Sequence, residues 1–373
     1  MKILIITPSY KPAYYYGGPI YSVAYLAENL NKQHDVLVLS TLANGNKELS
    51  IQPNSRQFID GVPVIFFKRQ TKDHTHFSIG LFKYLWKHAS NYDVVHIQSW
   101  WNFIAIFSAL ISFVKGTKYI VSPRGMLSPY TYRSSVFKKI IHFFIGNFLL
   151  QKAVLHLTSV DEGDKIKKLN SNYRTFVLPN YIDTNYLVSN RIDPTKFSIL
   201  FLGRIHPKKG LDILFRSLSA LDFEFELNIV GEGNKNYTEQ LKSLAESLNI
   251  QDKTYWLGSK LKDEKYNYYV NADIMILPSK DENFANTILE SLLCGTAVIL
   301  STQVGLSDFV IKNELGWVYD GEEKELTIAI KNAYLNFAKR SEIRRKAASI
   351  VINEFNAEKL TNKYLQNYRS QWK

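Results

Sequence analysis

Two carboxylates eight positions apart, Glu282 and Glu290, stand in residues 272–298, ADIMILPSKDENFANTILESLLCGTAV. A short apolar run ends at Pro278, a polar loop follows, and a helical pattern begins near Asn286. Glu282 therefore belongs to the loop and Glu290 to the second turn of the helix, so the two acids can face one ligand from two places. An ionised carboxylate only accepts hydrogen bonds. Glu282 can hold sugar hydroxyls or stabilise a developing positive charge, and Glu290 can take a ribose diol. Taken singly, each reads as easily as a solvated acid. The amides of Phe284, Ala285, Asn286 and Thr287 are the donors of a helix N-terminus, and a strand feeding such a terminus is where an α/β fold holds an anionic ligand.

A second constellation supplies positive charge. Gly203-Arg204-Ile205-His206-Pro207-Lys208-Lys209-Gly210 follows an apolar strand and precedes a helix, which places Arg204 and Lys209 at the carboxyl edge of a sheet. Arginine offers a planar donor fork and lysine a compact charge; together they suit a diphosphate. His206 reads as an ordinary loop residue. Near the start, Gly17-Gly18-Pro19 separates the first strand from the first helix. Glycines there let the backbone approach a phosphate, although the same triplet is ordinary turn chemistry. No GxGxxG fingerprint occurs, which argues against a nicotinamide enzyme.

These residues need strands that end beside helix starts, and the sequence provides two runs of them. Strands are expected over 2–7, 36–40, 64–67, 94–97, 119–122 and 155–158, with a helix over 19–31. The pattern restarts with strands over 198–202, 226–230, 254–257, 274–277 and 297–301, interleaved with helices over 211–218, 237–248 and 263–271. Short apolar, β-branched strands suit parallel sheets buried on both faces. Alternation of this kind points to two doubly wound domains, 1–185 and 186–356, with a last helix over 357–373 packing back on the first. Residues 180–196 are polar and aperiodic and read as a linker.

Composition narrows the setting. The chain has 373 residues, 46% hydrophobic and 21% charged, with one cysteine, Cys294, so no internal disulfide can form. A reducing cytoplasm is expected. No signal peptide is visible, and no apolar run reaches the roughly 18–20 residues of a membrane span; residues 100–114 read as a buried helix. Residues 1–185 hold 21 Lys+Arg against 10 Asp+Glu, a balance of +11, whereas the remainder holds 25 against 24, a balance of +1. A basic first half suits an anionic surface. Residues 133–152 read as a helix with Lys138, Lys139 and His142 on one narrow face, either dipping into anionic membrane or mostly buried with a solvated basic stripe. No nucleic-acid module is recognisable, so no nucleic-acid partner is expected.

The chain resembles the family-4 retaining glycosyltransferases of the GT-B fold over nearly its full length. The resemblance is carried by the loop over 8–18, SPRGML at 122–127, LTSVDEGDKI at 157–166, VLPNYID at 177–183, FLGRIHPKKGLDIL at 201–214, VGEG at 230–233, and the Glu282–Glu290 pair. It implies two facing Rossmann-like domains with a cleft between them, the first acceptor-side and the second binding the donor, a nucleotide-diphosphate sugar. Arg204 and Lys209 would bind the pyrophosphate, with the Gly17 and Gly18 amides approaching it. Glu290 would hold the ribose, and Glu282 with the 284–287 amides the sugar; the base would lie near residues 230–233, Gly231 among them, and 257–261. Neither cofactor nor metal is expected. The implied acceptor is a glycan, polyprenyl-linked, for bacterial surface polysaccharide (lipopolysaccharide or capsule), and the implied location is peripheral, at the cytoplasmic face of the membrane.

Three departures stand out. Arg124 replaces a histidine found in many relatives; it cannot act as a base, so it is read as binding a donor oxygen or an acceptor phosphate, beside His96 and Tyr130 on the acceptor side. Gln98 takes the second place of a His-x-His pair that starts at His96. Ala285 replaces the glycine usual after the phenylalanine. A sugar-nucleotide epimerase on the same fold, or a non-catalytic nucleotide-sugar-binding partner of a membrane complex, remain the alternative readings.

Overall fold

The computed structural model describes residues 1–129, 131, 140–184, 191–260 and 262–372. The chain divides into two compact units, residues 1–181 with 357–373, and residues 182–356.

In the first unit β1 (Lys2–Ile6), β2 (Asp35–Thr41), a two-rung hairpin of β3 (Ala43–Asn44) and β4 (Lys47–Glu48), β5 (Arg56–Ile59), β6 (Val62–Phe67), β7 (Val94–Gln98), β8 (Tyr119–Ser122), β9 (Val154–Leu157) and β10 (Arg174–Val177) follow in order. Apart from the hairpin they form one sheet in the order β10-β9-β8-β7-β1-β2-β6-β5, parallel except for the β5–β6 pair. Alternation along β1 decides what each face meets. Ile3 and Ile5 point into a core shared with helices Gly18–Asn31 and Ala357–Ser370. Leu4 and Ile6 point into the opposite core, with helices Ile79–His88 and Phe103–Val114. Helix Phe103–Val114 starts where Asn102 accepts from the Ala105 amide at 2.9 Å, an N-cap that fixes its first turn.

In the second unit β11 (Phe197–Leu202), β12 (Phe225–Val230), β13 (Thr254–Trp256), β14 (Ile274–Leu277), β15 (Ala297–Ser301) and β16 (Gly316–Tyr319) form a wholly parallel sheet in the order β13-β12-β11-β14-β15-β16. All four side chains of β14 are fully buried, as expected of a central strand covered by helices on both sides. Strand order reverses between β11 and β14. In an open α/β sheet the loops leaving the carboxyl ends at such a reversal flank the ligand crevice. Here those loops are 203–210 and 278–285.

Candidate functional site

The two loops at the reversal are joined to each other. The Lys280 amide donates to the Lys208 carbonyl at 2.8 Å, Lys208 Nζ pairs with Asp281 at 2.8 Å, and Lys209 Nζ pairs with Glu282 Oε2. Gly210 makes the approach possible: it is left-handed at φ 72°, and a Cβ there would overlap the Pro278 carbonyl oxygen. Glu282 is held from behind as well. Its amide donates to the Gln303 carbonyl at 3.0 Å, and its carbonyl accepts from the Gly305 amide at 2.8 Å. Arg204 is exposed and, among the described residues, makes no hydrogen bond or ion pair, so its donor fork is available. His206 caps the short turn Pro207–Lys209 by accepting from the Lys208 amide at 3.1 Å. Burial, then Arg204, keeps its pKa below the ordinary value; it is a turn residue.

Helix Asn286–Leu293 begins directly after the acid loop. Ala285 is its N-cap residue, at φ 68° and ψ 74°, and the buried Phe284 ring packs against Phe355 at 6.1 Å. Asn286 and Thr287 occupy the first two helical positions, whose amides have no intrahelical acceptor. One turn on, Glu290 Oε1 accepts from Lys265 Nζ at 2.8 Å and Oε2 from Tyr269 at 2.9 Å. A carboxylate offers about four acceptor sites, so two remain for a ligand. Gly231 follows β12, and a Cβ there would overlap the Gly203 carbonyl oxygen. Its missing side chain serves loop-against-loop packing first.

The remaining sequence-derived residues lie in the first unit. Gly17, at φ 67° and ψ −136°, caps helix Gly18–Asn31, and Gly18 is exposed beside it. Arg124 is left-handed at φ 51°. Its Nε donates to Gln98 at 2.8 Å, and its Nη1 donates to Ser22 and to Asn180, each at 2.9 Å. All three acceptors are neutral, and burial lowers the guanidinium's pKa, yet no described carboxylate lies within ion-pair distance. Glu162, the acid of the 157–166 motif, instead accepts from the Gly125 amide at 2.7 Å and the Thr158 amide at 2.8 Å, fixing the loop that carries Arg124.

His96 does not reach a surface. It is fully buried in β7, with Nδ1 2.7 Å from the Tyr368 hydroxyl and Nε2 2.6 Å from Ser122. Ser122 continues to His156 Nδ1 at 2.7 Å, and His156 Nε2 lies 2.9 Å from Tyr364. Burial holds His96 well below the usual histidine range and His156 down at about 3. The pair is a neutral bridge from the sheet to helix Ala357–Ser370. Tyr130, residues 133–139 and Leu261 lie outside the described residues.

Comparison with known proteins decides the family. A model described as "Glycosyltransferase Family 4" matches residues 16–186 and one described as "Glycosyl transferases group 1" matches 183–349. The chain belongs to the family-4, group-1 glycosyltransferases. It is similar to an uncharacterised 41.2 kDa protein in the cps region of Klebsiella pneumoniae, 23% identical over 300 residues, covering 75% of this chain and 80% of that one. It is also similar to lipopolysaccharide 1,2-N-acetylglucosaminetransferase of Salmonella typhimurium, 27% identical over 46% of this chain and 48% of that one. The matched stretch spans about half or less of several curated relatives. Among solved structures, Anabaena HepE in complex with UDP and glucose superposes with a TM-score of 0.77 at 20% identity, over 99% of this chain and 100% of that one. The fold is GT-B.

Within this glycosyltransferase, sequence reasoning passed over the groups that hold the acids. Lys265 and Tyr269 lie four positions apart on one face of helix Lys262–Asn271, a spacing readable in the sequence but without meaning until β14 brings Glu290 alongside. The carbonyl of Gln303 left no signal at all, because backbone partners never do.

Proposed function

We propose that the protein transfers a sugar, with retention of anomeric configuration, from a nucleoside-diphosphate sugar to a lipid-linked glycan acceptor at a membrane face. The observation that carries the reading is the junction of the two switch-point loops, where Lys209 and Glu282 meet within reach of the Asn286–Leu293 helix start. Arg204 and Lys209 stabilise the charge that grows on the leaving diphosphate, and fixed donors there lower the barrier. Glu282 accepts from sugar hydroxyls and faces the oxocarbenium-like centre. Glu290, oriented by Lys265 and Tyr269, takes the ribose hydroxyls.

The pairing of Lys209 with Glu282 implies an order of events. An arriving diphosphate competes for Lys209, and the carboxylate it releases becomes free for the sugar. Arg124, whose hydrogen bonds all go to neutral acceptors, offers its charge to an anionic group on the acceptor side. Relatives named for lipopolysaccharide synthesis, or found in a cps region, support a surface-polysaccharide acceptor, and UDP bound to HepE makes UDP-sugars the first donors to try. The reaction as proposed draws its positive charge from side chains and needs no metal, so turnover should survive EDTA.

Purified protein given UDP-sugars and no acceptor should release free sugar slowly, and Glu282→Ala or Lys209→Ala should abolish the release. A chain that neither binds nor turns over any nucleotide sugar would end this reading. Interconversion of donor sugars without release would favour the epimerase.

A further inference from the structure

We propose that the outward face of three helical segments in the first unit is a bilayer-docking surface that seats phenylalanine side chains among anionic lipid headgroups. It deepens, and rests on, the reading of a membrane-borne acceptor given above. The basic stripe of Lys138 and Lys139 that the sequence suggested lies outside the described residues. What the described part of the segment shows is apolar.

Phe143 and Phe144 are 79% and 77% exposed, and Ile140 and Phe148 on the same face are 48% and 44% exposed. Leu149 and Leu150 meanwhile fill the core on the other side. A helix in water turns one apolar face inward and a polar face outward; among the described residues, Phe143, Phe144 and Phe148 here face outward while Leu149 and Leu150 face inward. The strip continues beyond it. The Phe148 ring meets Phe113 at 5.0 Å, Phe113 and Val114 are exposed at the end of their helix, and the next residue, Lys115, lies 4.2 Å over the ring of Trp86, itself 51% exposed. Contiguous exposed apolar surface of this kind marks an interaction site.

Charge identifies the occupant. Lys83, Lys87, Lys118 and Lys152 stand exposed around the strip, and Asp93 is the sole acid between Asp73 and Asp161. Phenylalanine and tryptophan bordered by lysine, with almost no carboxylate nearby, match the interface of an anionic bilayer. A second copy of this chain would set lysine against lysine across a two-fold axis with Asp93 the one acid of the 74–160 stretch to pair them.

The test is flotation of the full chain with vesicles of phosphatidylglycerol and phosphatidylethanolamine, against vesicles of phosphatidylcholine alone. Wild type should float with the anionic vesicles. Phe143→Ser with Phe144→Ser should weaken binding at least about tenfold, with an unchanged melting curve because both side chains are already in water. Lys83→Glu with Lys87→Glu should weaken it too and flatten the salt dependence, because less attraction remains to be screened. The proposal fails if wild type stays unbound, if the serine variant floats like wild type, or if the serine change abolishes a dimer and no vesicle binding exists. A protein that hydrolyses donor yet does not float overturns the docking surface alone. One that floats but neither binds nor hydrolyses nucleotide sugars overturns the enzymatic reading and leaves the surface standing.

Discussion

Ala285 holds a left-handed backbone at φ 68°, a conformation that costs an L-residue about 1–2 kcal/mol and glycine almost nothing. The resemblance flagged this position as a departure, and the geometry explains why glycine suits it. Ala285→Gly should raise stability by about 0.5–1 kcal/mol, after the added flexibility of the unfolded chain is subtracted; a rise in urea midpoint at unchanged slope would show it. Gly231→Ala should do the opposite, costing about 2 kcal/mol or more, because the new methyl overlaps the Gly203 carbonyl. The Lys209–Glu282 pair separates binding from chemistry. Lys209→Met should weaken UDP binding in calorimetry, whereas Glu282→Gln, by removing the competitor for Lys209, should bind UDP at least as tightly while losing turnover by about a hundredfold. Weaker UDP binding by the glutamine variant would refute the proposed exchange. At this scale the charged residues were legible because their spacing is linear. Their partners were not, since Gln303, Lys265 and Tyr269 come alongside only when strands from distant parts of the chain pair.

Among elements, helix Ala357–Ser370 is tied to the first sheet through His96, Ser122 and His156. Both histidines are held neutral by burial. In the unfolded chain they take up protons near 6.5, and in the folded state only far below that, so stability is complete above about pH 6.5 and falls as pH drops toward about 3. His156 costs about 1.4 kcal/mol per pH unit inside that window, and His96 acts in the same direction. Calorimetry between pH 7 and 5 should show the first unit's transition moving down faster than the second's, and His156→Gln should flatten the slope. An equal shift of both transitions would contradict the bridge. The central strands and the helices beside them were legible from runs such as Ile274–Leu277, whose burial leaves no alternation to misread. β5, β10 and the β3–β4 hairpin were not, because edge or two-residue strands expose alternate positions and carry little apolar signal. His96 was the costlier ambiguity: a histidine inside an apolar strand reads alike as a site residue or a buried bridge until its partner, from the far end of the chain, is in place.

For the whole molecule, each unit has a core of its own among the described residues. One cluster lies wholly within 182–356, and the other two draw only on 1–181 and the final helix. Removing residues 357–373 should therefore unfold the first unit, which loses Leu360, Tyr364, Leu365 and Tyr368 from its core. The second should still melt cooperatively and still respond to UDP by a rise in melting temperature. Loss of both transitions would show the units to be one cooperative body. The two-unit plan was legible from the restart of the strand–helix pattern near residue 198. The return of the last helix was an expectation only, since amphipathicity says that a helix packs, not where.

That return has a consequence during synthesis. The ribosome delivers the eight strands of the first sheet early, but the helix that covers one face of them emerges only after residues 182–356. The unit made first is thus the one completed last, and until then its face of Ile3, Ile5 and Val94 is covered only in part, by helix Gly18–Asn31. Growing chains should hold a protease-resistant second unit beside a still-sensitive first, and chaperone demand should fall on the amino-terminal sheet.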